Sequence, residues 1–344
     1  MMTAGHRIAV ALGAALLLWA SAALAQTDFY RGKTITLVVS SSAGGGYDIM
    51  ARTIARYLGK HIPGNPRVVV TNMPGAGGIV AMNYLYRGAP KDGTYIAGVQ
   101  NNLPFEPLLG TREAMYDPTK FNWLGSPSIE VGLIAVWKSV PVNTVEDLKQ
   151  REIAVGSSGA NSTPSFYARL LNELLGFKIK IILGYTGQNE AYLAVERGEL
   201  DSPYGVTFWS SLTSTRADWI RDKKIRILVQ YGPEKEPDLP HVPYGPDLVK
   251  NAEDKALFEA AYAPLAAGRP FVGPPGLSPE RAALLRGAML ATFKDPEFLA
   301  EAKRLRLDIN KPTAGETMQA QIGRVYQMPQ TIVDRLRRIA QPPK

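Results

Sequence analysis

The residues in this chain with chemistry to offer are small and polar, and they cluster. Ser40-Ser41-Ser42-Ala43 and the glycines Gly44 to Gly46 lead into Tyr47 and Asp48, just after the apolar run Ile35 to Val39. A helical pattern follows to Leu58, with Ile49, Met50, Ile54, Tyr57 and Leu58 on one face and Arg52 and Arg56 on the other. A strand, a Gly/Ser turn and a helix start leave several N–H groups unpaired at the positive end of a helix dipole. That arrangement suits an anion, here a carboxylate. The candidates in this turn are Ser41, Ser42, Gly45, Gly46, Tyr47 and Asp48. Asp48 is equally well placed as a first-turn acid answering the dipole, with Arg52 four residues on.

No comparable pattern points to catalysis. The three histidines are His6, His61 and His241, and there is no cysteine. G-x-S-x-G and H-E-x-x-H are missing, and the glycine runs match neither a P-loop nor G-x-G-x-x-G. Neither a catalytic residue, a metal-ligand set nor a cofactor is expected, and the chain reads as a non-enzyme. Without cysteine, disulfide frameworks and thiolate chemistry are excluded.

The elements that must position the Ser/Gly turn are legible from periodicity. Arg67 to Asn72 is a second strand, followed by Pro74-Gly75-Ala76-Gly77-Gly78 and a helix from Ile79 to Tyr86; Thr94 to Val99 is a third strand. A β-α-β-α-β order with apolar strands argues for a parallel sheet covered by helices. Ligands in such sheets bind beyond the carboxyl ends of strands, here Ser40–Gly46, Asn72–Gly78 and Gln100–Asn102, which brings in Asn101. Phe121 to Gly125 and Val131 to Trp137 read as strands crossing to a second lobe. There the opening pattern returns: strand Ile153 to Val155, small polar loop Gly156 to Thr163, helix Ser165 to Leu175. Lys178 to Leu183, Asp201 to Val206 and Ile225 to Gln230 are further strand candidates. Ala263 to Pro275 is expected to be extended, and Thr313-Ala314-Gly315-Glu316 to be a capping box for the last helix.

His6-Arg7, the apolar Ile8 to Trp19 and Ala23-Leu24-Ala25 have the three-part form of a secretory signal. Removing it leaves about 319 of 344 residues, enough for two ordinary domains. The formal charge of +8 favours acidic small molecules; the basic residues are spread along the chain, so nucleic acid is not expected.

Ala43-Gly44-Gly45-Gly46-Tyr47-Asp48, Asn72-Met73-Pro74-Gly75-Ala76-Gly77-Gly78 and Gly156-Ser157-Ser158-Gly159, in that order behind a signal peptide, resemble the Bug family. These are periplasmic solute-binding proteins of tripartite tricarboxylate transporters. The resemblance covers essentially the whole mature chain. It implies an α/β, two-lobed, periplasmic-binding-protein-like (type II) fold, with two mainly parallel sheets flanked by helices around a central cleft. It also implies an organic carboxylate ligand and membrane permease subunits as partners. By the same resemblance Ser157, Ser158, Asn161, Ser162 and Thr163 form the second-lobe contact loop opposite Ser41 to Asp48, and Tyr185 belongs to a Tyr-x-Gly turn near the cleft. Two departures are visible. Ser40-Ser41-Ser42-Ala43 replaces a Pro-Phe-Ala-Pro type wall, and Gly205 occupies a place where the family often has an aspartate.

The expected organisation is a signal peptide over 1–25, a first lobe from 26–125 and 265–344, and a second lobe from 126–264. The expected role is capture of a small organic carboxylate in the periplasm by a monomer that delivers it to the permease. A carboxylate-sensing module and a secreted hydrolase or lyase are the alternatives.

Overall fold

The structure, a computed structural model, describes residues 29–341 apart from 45, 158, 161, 186–187 and 204–206. The expected signal segment and the candidates Gly45, Ser158 and Asn161 therefore lie outside the described residues.

The strands in chain order are β1 (Thr34–Val39), β2 (Arg67–Asn72), β3 (Tyr95–Gly98), β4 (Asn122–Ser126), β5 (Gly132–Trp137), β6 (Ile153–Ser157), β7 (Ile179–Leu183), β8 (Thr207–Phe208), β9 (Ile225–Tyr231), β10 (Phe271–Gly273) and β11 (Thr313–Ala314). One lobe is built on a six-stranded sheet of order β11-β4-β10-β3-β1-β2. β1 runs parallel to β2 and β3, while β10, β4 and β11 join antiparallel. Alternation along β1 assigns its side chains to two faces. Ile35, Leu37 and Val39 pack with Met50, Ile54 and Leu58 of the Gly46–Leu58 helix, and Val38 packs with Ile79, Met82 and Leu85 on the opposite face.

The other lobe holds β8-β5-β9, all antiparallel, and the parallel pair β6-β7. A short segment joins them: Trp137 N–H donates to the Asp201 carbonyl at 2.8 Å, and Asp201 N–H donates to Ala154 at 3.0 Å. Of the strand expected over Asp201 to Val206, the described residues show one parallel bridge, Val155 with Ser202; residues 204–206 lie outside them. Tyr167, Leu171, Val229, Phe258 and Leu265 belong to this lobe's main core.

The chain passes between the lobes after β4 and returns before β10, and the two passages run side by side. Ser126 Oγ donates to the Ser128 carbonyl at 2.8 Å and accepts from the Arg269 N–H at 2.9 Å, while Glu130 N–H donates to Leu265 at 2.9 Å. Asn310 brackets the first passage, accepting from the Ile129 N–H at 3.0 Å and donating to its carbonyl at 3.2 Å. Gly268 has φ +60°, and a Cβ there would lie 1.8 Å from the Ser128 carbonyl oxygen, so only glycine fits.

Three expectations change. Residues Ala263–Ala267 are helical rather than extended, because Pro264 sits in the first turn, where its missing N–H costs nothing. Thr313 caps no helix: it pairs with Ser126 in β11, the Gly315–Tyr326 helix starts without a side-chain cap, and a further helix, Gln330–Ala340, follows. That last helix does not belong with the rest of 265–344 in the first lobe. Its Ile332, Leu336 and Ile339 enter the second-lobe core, and Arg169 holds its end by donating to the Ile339 and Ala340 carbonyls at 2.5 and 2.8 Å.

Candidate functional site

The carboxyl ends of β1, β2 and β3 lie together, and their loops are fastened to one another. Ser40 is fully buried; its Oγ accepts from the Gln100 N–H at 3.1 Å, and its own N–H donates to Gly98. Gly78, at φ +97°, approaches so closely that a Cβ would meet the Ser40 Cβ at 3.0 Å. The Pro74–Gly78 run therefore does close packing, while its Ala76 and Gly77 face an interlobe cavity. Ser40 was not among the expected site residues, because a serine that joins loops looks in sequence like one that meets a ligand.

Asp48 is the organiser of the first loop. Its side chain is 3 % exposed. It accepts from Gly44 N–H at 2.8 Å, Arg52 Nε at 2.9 Å and Asn72 Nδ2 at 2.8 Å; Asn72 Nδ2 also reaches the Ser41 carbonyl at 3.0 Å. Burial opposes ionisation, but the bonds from Arg52, Gly44 and Asn72 outweigh it and hold the carboxyl below the usual aspartate range. Of the two roles the sequence allows Asp48, these bonds match the internal one, with Arg52 four residues on. Ser42 and Gly46 are exposed, Gly46 as the first residue of its helix. Ser41 keeps a buried hydroxyl with no hydrogen-bond partner among the described residues. Asn101 is buried, and its N–H donates to the Tyr47 hydroxyl at 3.2 Å.

In the second lobe the hydroxyls also serve the loop. Ser157 Oγ lies 2.8 Å from Ser162 Oγ and 2.7 Å from Ser165 Oγ, and all three hydroxyls lie within hydrogen-bond reach of the Gly159 carbonyl. The expected donors Ser157 and Ser162 are thus engaged within the loop's own cluster, which leaves backbone N–H groups at the start of the Thr163–Leu175 helix for any anion. Arg169 Nη1 donates to the Ala160 carbonyl at 2.8 Å and pins the loop from behind. Tyr185 stands beside it, its N–H donating to Ser157 at 3.3 Å.

The lobes share a cavity of about 750 Å³. Gly77, Gln100 and Asn102 reach it from one side, and Ser162 and Thr163 from the other. Of the expected contacts, Ser162 and Thr163 line it directly, and Asn101 lies between two residues that do. The Ser41–Asp48 turn adjoins this wall through the Ser40–Gln100 and Tyr47–Asn101 bonds.

Charge gathers where the passages meet the first loop. The Arg269 guanidinium lies 5.2 Å from the Tyr47 ring centre, and its Nε is 3.5 Å from Glu130 Oε1 without a hydrogen bond. Glu130, buried, accepts from Ser210 Oγ at 2.6 Å. Burial pushes the Tyr47 phenol up, against the Arg269 charge that favours ionisation. Asp308 is pushed up to about 6 by burial and by the Glu130 and Glu236 charges, with Arg269 opposing. Arg269 beside Pro270 reads in sequence as an interlobe or surface charge rather than a ligand clamp; Glu130 and Asp308 carry no such signal. Among the described residues no group of His, Cys, Asp and Glu is placed to hold a metal ion, and no helix is long and apolar enough to cross a membrane.

Solved structures share this architecture. A TctC solute-binding protein from Polaromonas superposes with TM-score 0.66 at 21% identity, covering 89% of this chain and 99% of that one. An R. palustris protein solved with adipate gives TM-score 0.64 at 22% identity over 91% and 99%. MatC from Rhodopseudomonas palustris, with bound malate, gives 0.61 at 19% over 90% and 99%. At these identities the likeness establishes the fold. In sequence, the UPF0065 protein of the gbd 5' region of Cupriavidus necator is 30% identical over 238 residues, 67% of this chain and 68% of that one. The model of the tripartite tricarboxylate transporter family receptor, TctC, matches residues 50–335, so the chain belongs to that receptor family.

Proposed function

We propose that this chain is a periplasmic receptor, exported by its N-terminal signal, that closes two lobes over a small organic carboxylate and presents it to the membrane subunits of a tripartite transporter. The observation that carries the reading is the interlobe cavity, which first-lobe loop residues Gly77, Gln100 and Asn102 share with Ser162 and Thr163 at a second-lobe helix start. Family membership across both lobes supports it, as do the malate and adipate in two proteins of the same fold. In this reading Ser41, Ser42, Gly46, Tyr47 and Asn101 form one lip, and Ser157, Ser162, Thr163 and Tyr185 the other. Backbone N–H groups and the unpartnered Ser41 hydroxyl meet the ligand, while Asp48, Ser157 and Ser162 hold the loops in shape. In the same reading the first lobe is 29–126 with 271–326, and the second 129–267 with 330–340. The chain transports rather than transforms its ligand.

A thermal-shift screen of mono- and dicarboxylates tests the proposal. Ligand at a hundredfold excess over its Kd stabilises the folded state by about 2.7 kcal/mol, and the bound ligand is recovered unchanged after long incubation. A folded protein that no carboxylate stabilises overturns the reading.

A further inference from the structure

Resting on the receptor reading, we propose that the preferred ligand is a monocarboxylate with an apolar body, a linear chain or an aromatic ring, whose tail fills the interlobe cavity.

The cavity's about 750 Å³ is far more than a carboxylate head group occupies and lies within the range of small-molecule sites. Gln100, Asn102, Ser162 and Thr163 line it at the strand and helix ends, and Glu106, Thr111, Arg112, Glu113 and Gln341 add further polar groups. A large apolar share of the wall comes from both lobes: Phe105, Leu108 and Leu109 from the first, Phe166, Pro264 and Leu336 from the second. A lining of this kind gains nothing from a hydrophilic ligand and much from covering hydrocarbon.

Charge selects against a second carboxylate. Two acids line the wall, Glu106 and Glu113; Glu106 accepts from Asn102 Nδ2 at 2.7 Å and Thr111 Oγ1 at 2.6 Å. Those bonds use neutral donors and leave its negative charge in place, facing whatever enters. The cation among the described lining residues is Arg112, which is exposed and next to the exposed Glu113. A diacid reaching into this space meets Glu106 and finds no buried positive partner, so its far carboxylate loses hydration without compensation. An alkyl or aryl group loses nothing there. The malate and adipate of the structural relatives are diacids, and this wall separates the present chain from such a preference.

Titration calorimetry on the purified chain tests this with butanoate, hexanoate and octanoate against succinate and adipate. Each methylene that enters the cavity strengthens binding about fourfold, and each monoacid binds at least about tenfold more tightly than the diacid of equal length. Leu109→Trp fills the cavity and removes the gain at octanoate. Leu109→Gln flattens the chain-length series without filling space, and melting curves verify that both variants fold. If diacids bind as tightly as monoacids, or if affinity is flat with chain length, this inference is overturned while the receptor reading survives. The same holds if the series is unaltered in both variants, for the chain then lies elsewhere. If no carboxylate binds at all, the receptor reading itself fails.

Discussion

Replacing Asp48 with alanine removes the hub of the first loop, and the cost follows from its partners. The side chain is 3 % exposed and receives three donors, of which Gly44 N–H and Asn72 Nδ2 are neutral. A hydrogen bond to a charged acceptor contributes about 1.5 kcal/mol or more, so these two amount to about 3 kcal/mol. The Arg52 arm is an ion pair whose cation is 44 % exposed; solvent screens it, and it adds at most about 1 kcal/mol. Asp48→Ala is therefore expected to lose about 3–4 kcal/mol, which lowers Tm by about 6–16 °C at about 2–4 °C per kcal/mol. Arg52→Ala loses no more than about 1 kcal/mol. Calorimetric melts at neutral pH give both values. The folded-state pKa of Asp48 is lowered, so its stabilisation is complete above the unfolded value of about 4 and fades as pH falls through the lowered one. The gap between wild type and Asp48→Ala must accordingly close in acid. A loss below about 1 kcal/mol for Asp48→Ala, or an equal loss for Arg52→Ala, refutes the reasoning.

Four further perturbations have definite signs. Asp308 is the reverse case, raised to about 6, so its ionised form weakens the fold above that pH and the penalty vanishes below about 4. Asp308→Asn should gain about 1–2 kcal/mol at pH 8, after allowing for solvent screening, and flatten the stability profile between about pH 4 and 6, read by urea denaturation. Asp295 is held at about 2: burial opposes ionisation, but Lys60, His61 and the N–H groups of Glu297 and Phe298 outweigh it. Asp295→Ala should destabilise at pH 7 and match wild type as pH falls through 2. Gly268→Ala should fail to fold, since its Cβ would sit 1.8 Å from the Ser128 carbonyl. Gly287→Ala, in open space within the Pro279–Lys294 helix, should gain about 0.5–1 kcal/mol, measured by thermal melts.

What the sequence discloses and what it conceals divide along a physical line. Local periodicity carried β1, β2 and the Gly46–Leu58 helix, because buried faces impose alternation of two or of 3.6 residues. The Thr144–Asp147 capping box at the start of the Val145–Gln150 helix is local in the same sense, its partners three residues apart. The Gln330–Ala340 helix was assigned to the wrong lobe because a helix pattern declares which face is buried and not against what. Thr313 was misread because its partner, Ser126, lies far away in sequence. In the site, glycine and serine marked the right loops, yet a hydroxyl bonded within its loop and one turned to a ligand have the same spelling. Only the partners of Asp48, Ser157 and Ser162 separate the two. Glu130 and Asp308 meet Arg269 from distant segments, and no spacing announces them.

The final helix has a consequence for motion. Because the Gly315–Tyr326 helix belongs with the six-stranded sheet while Gln330–Ala340 is bound to the other core, the short stretch 327–329 is a third tie between the halves. Two neighbouring ties act like a door's hinge pins and permit a broad swing; a third, set apart from them, shortens the arc and penalises twist. Since Arg169 clasps both the end of that helix and the Ala160 carbonyl, clipping the tail would slacken the restraint and the rim of the binding loop in one cut.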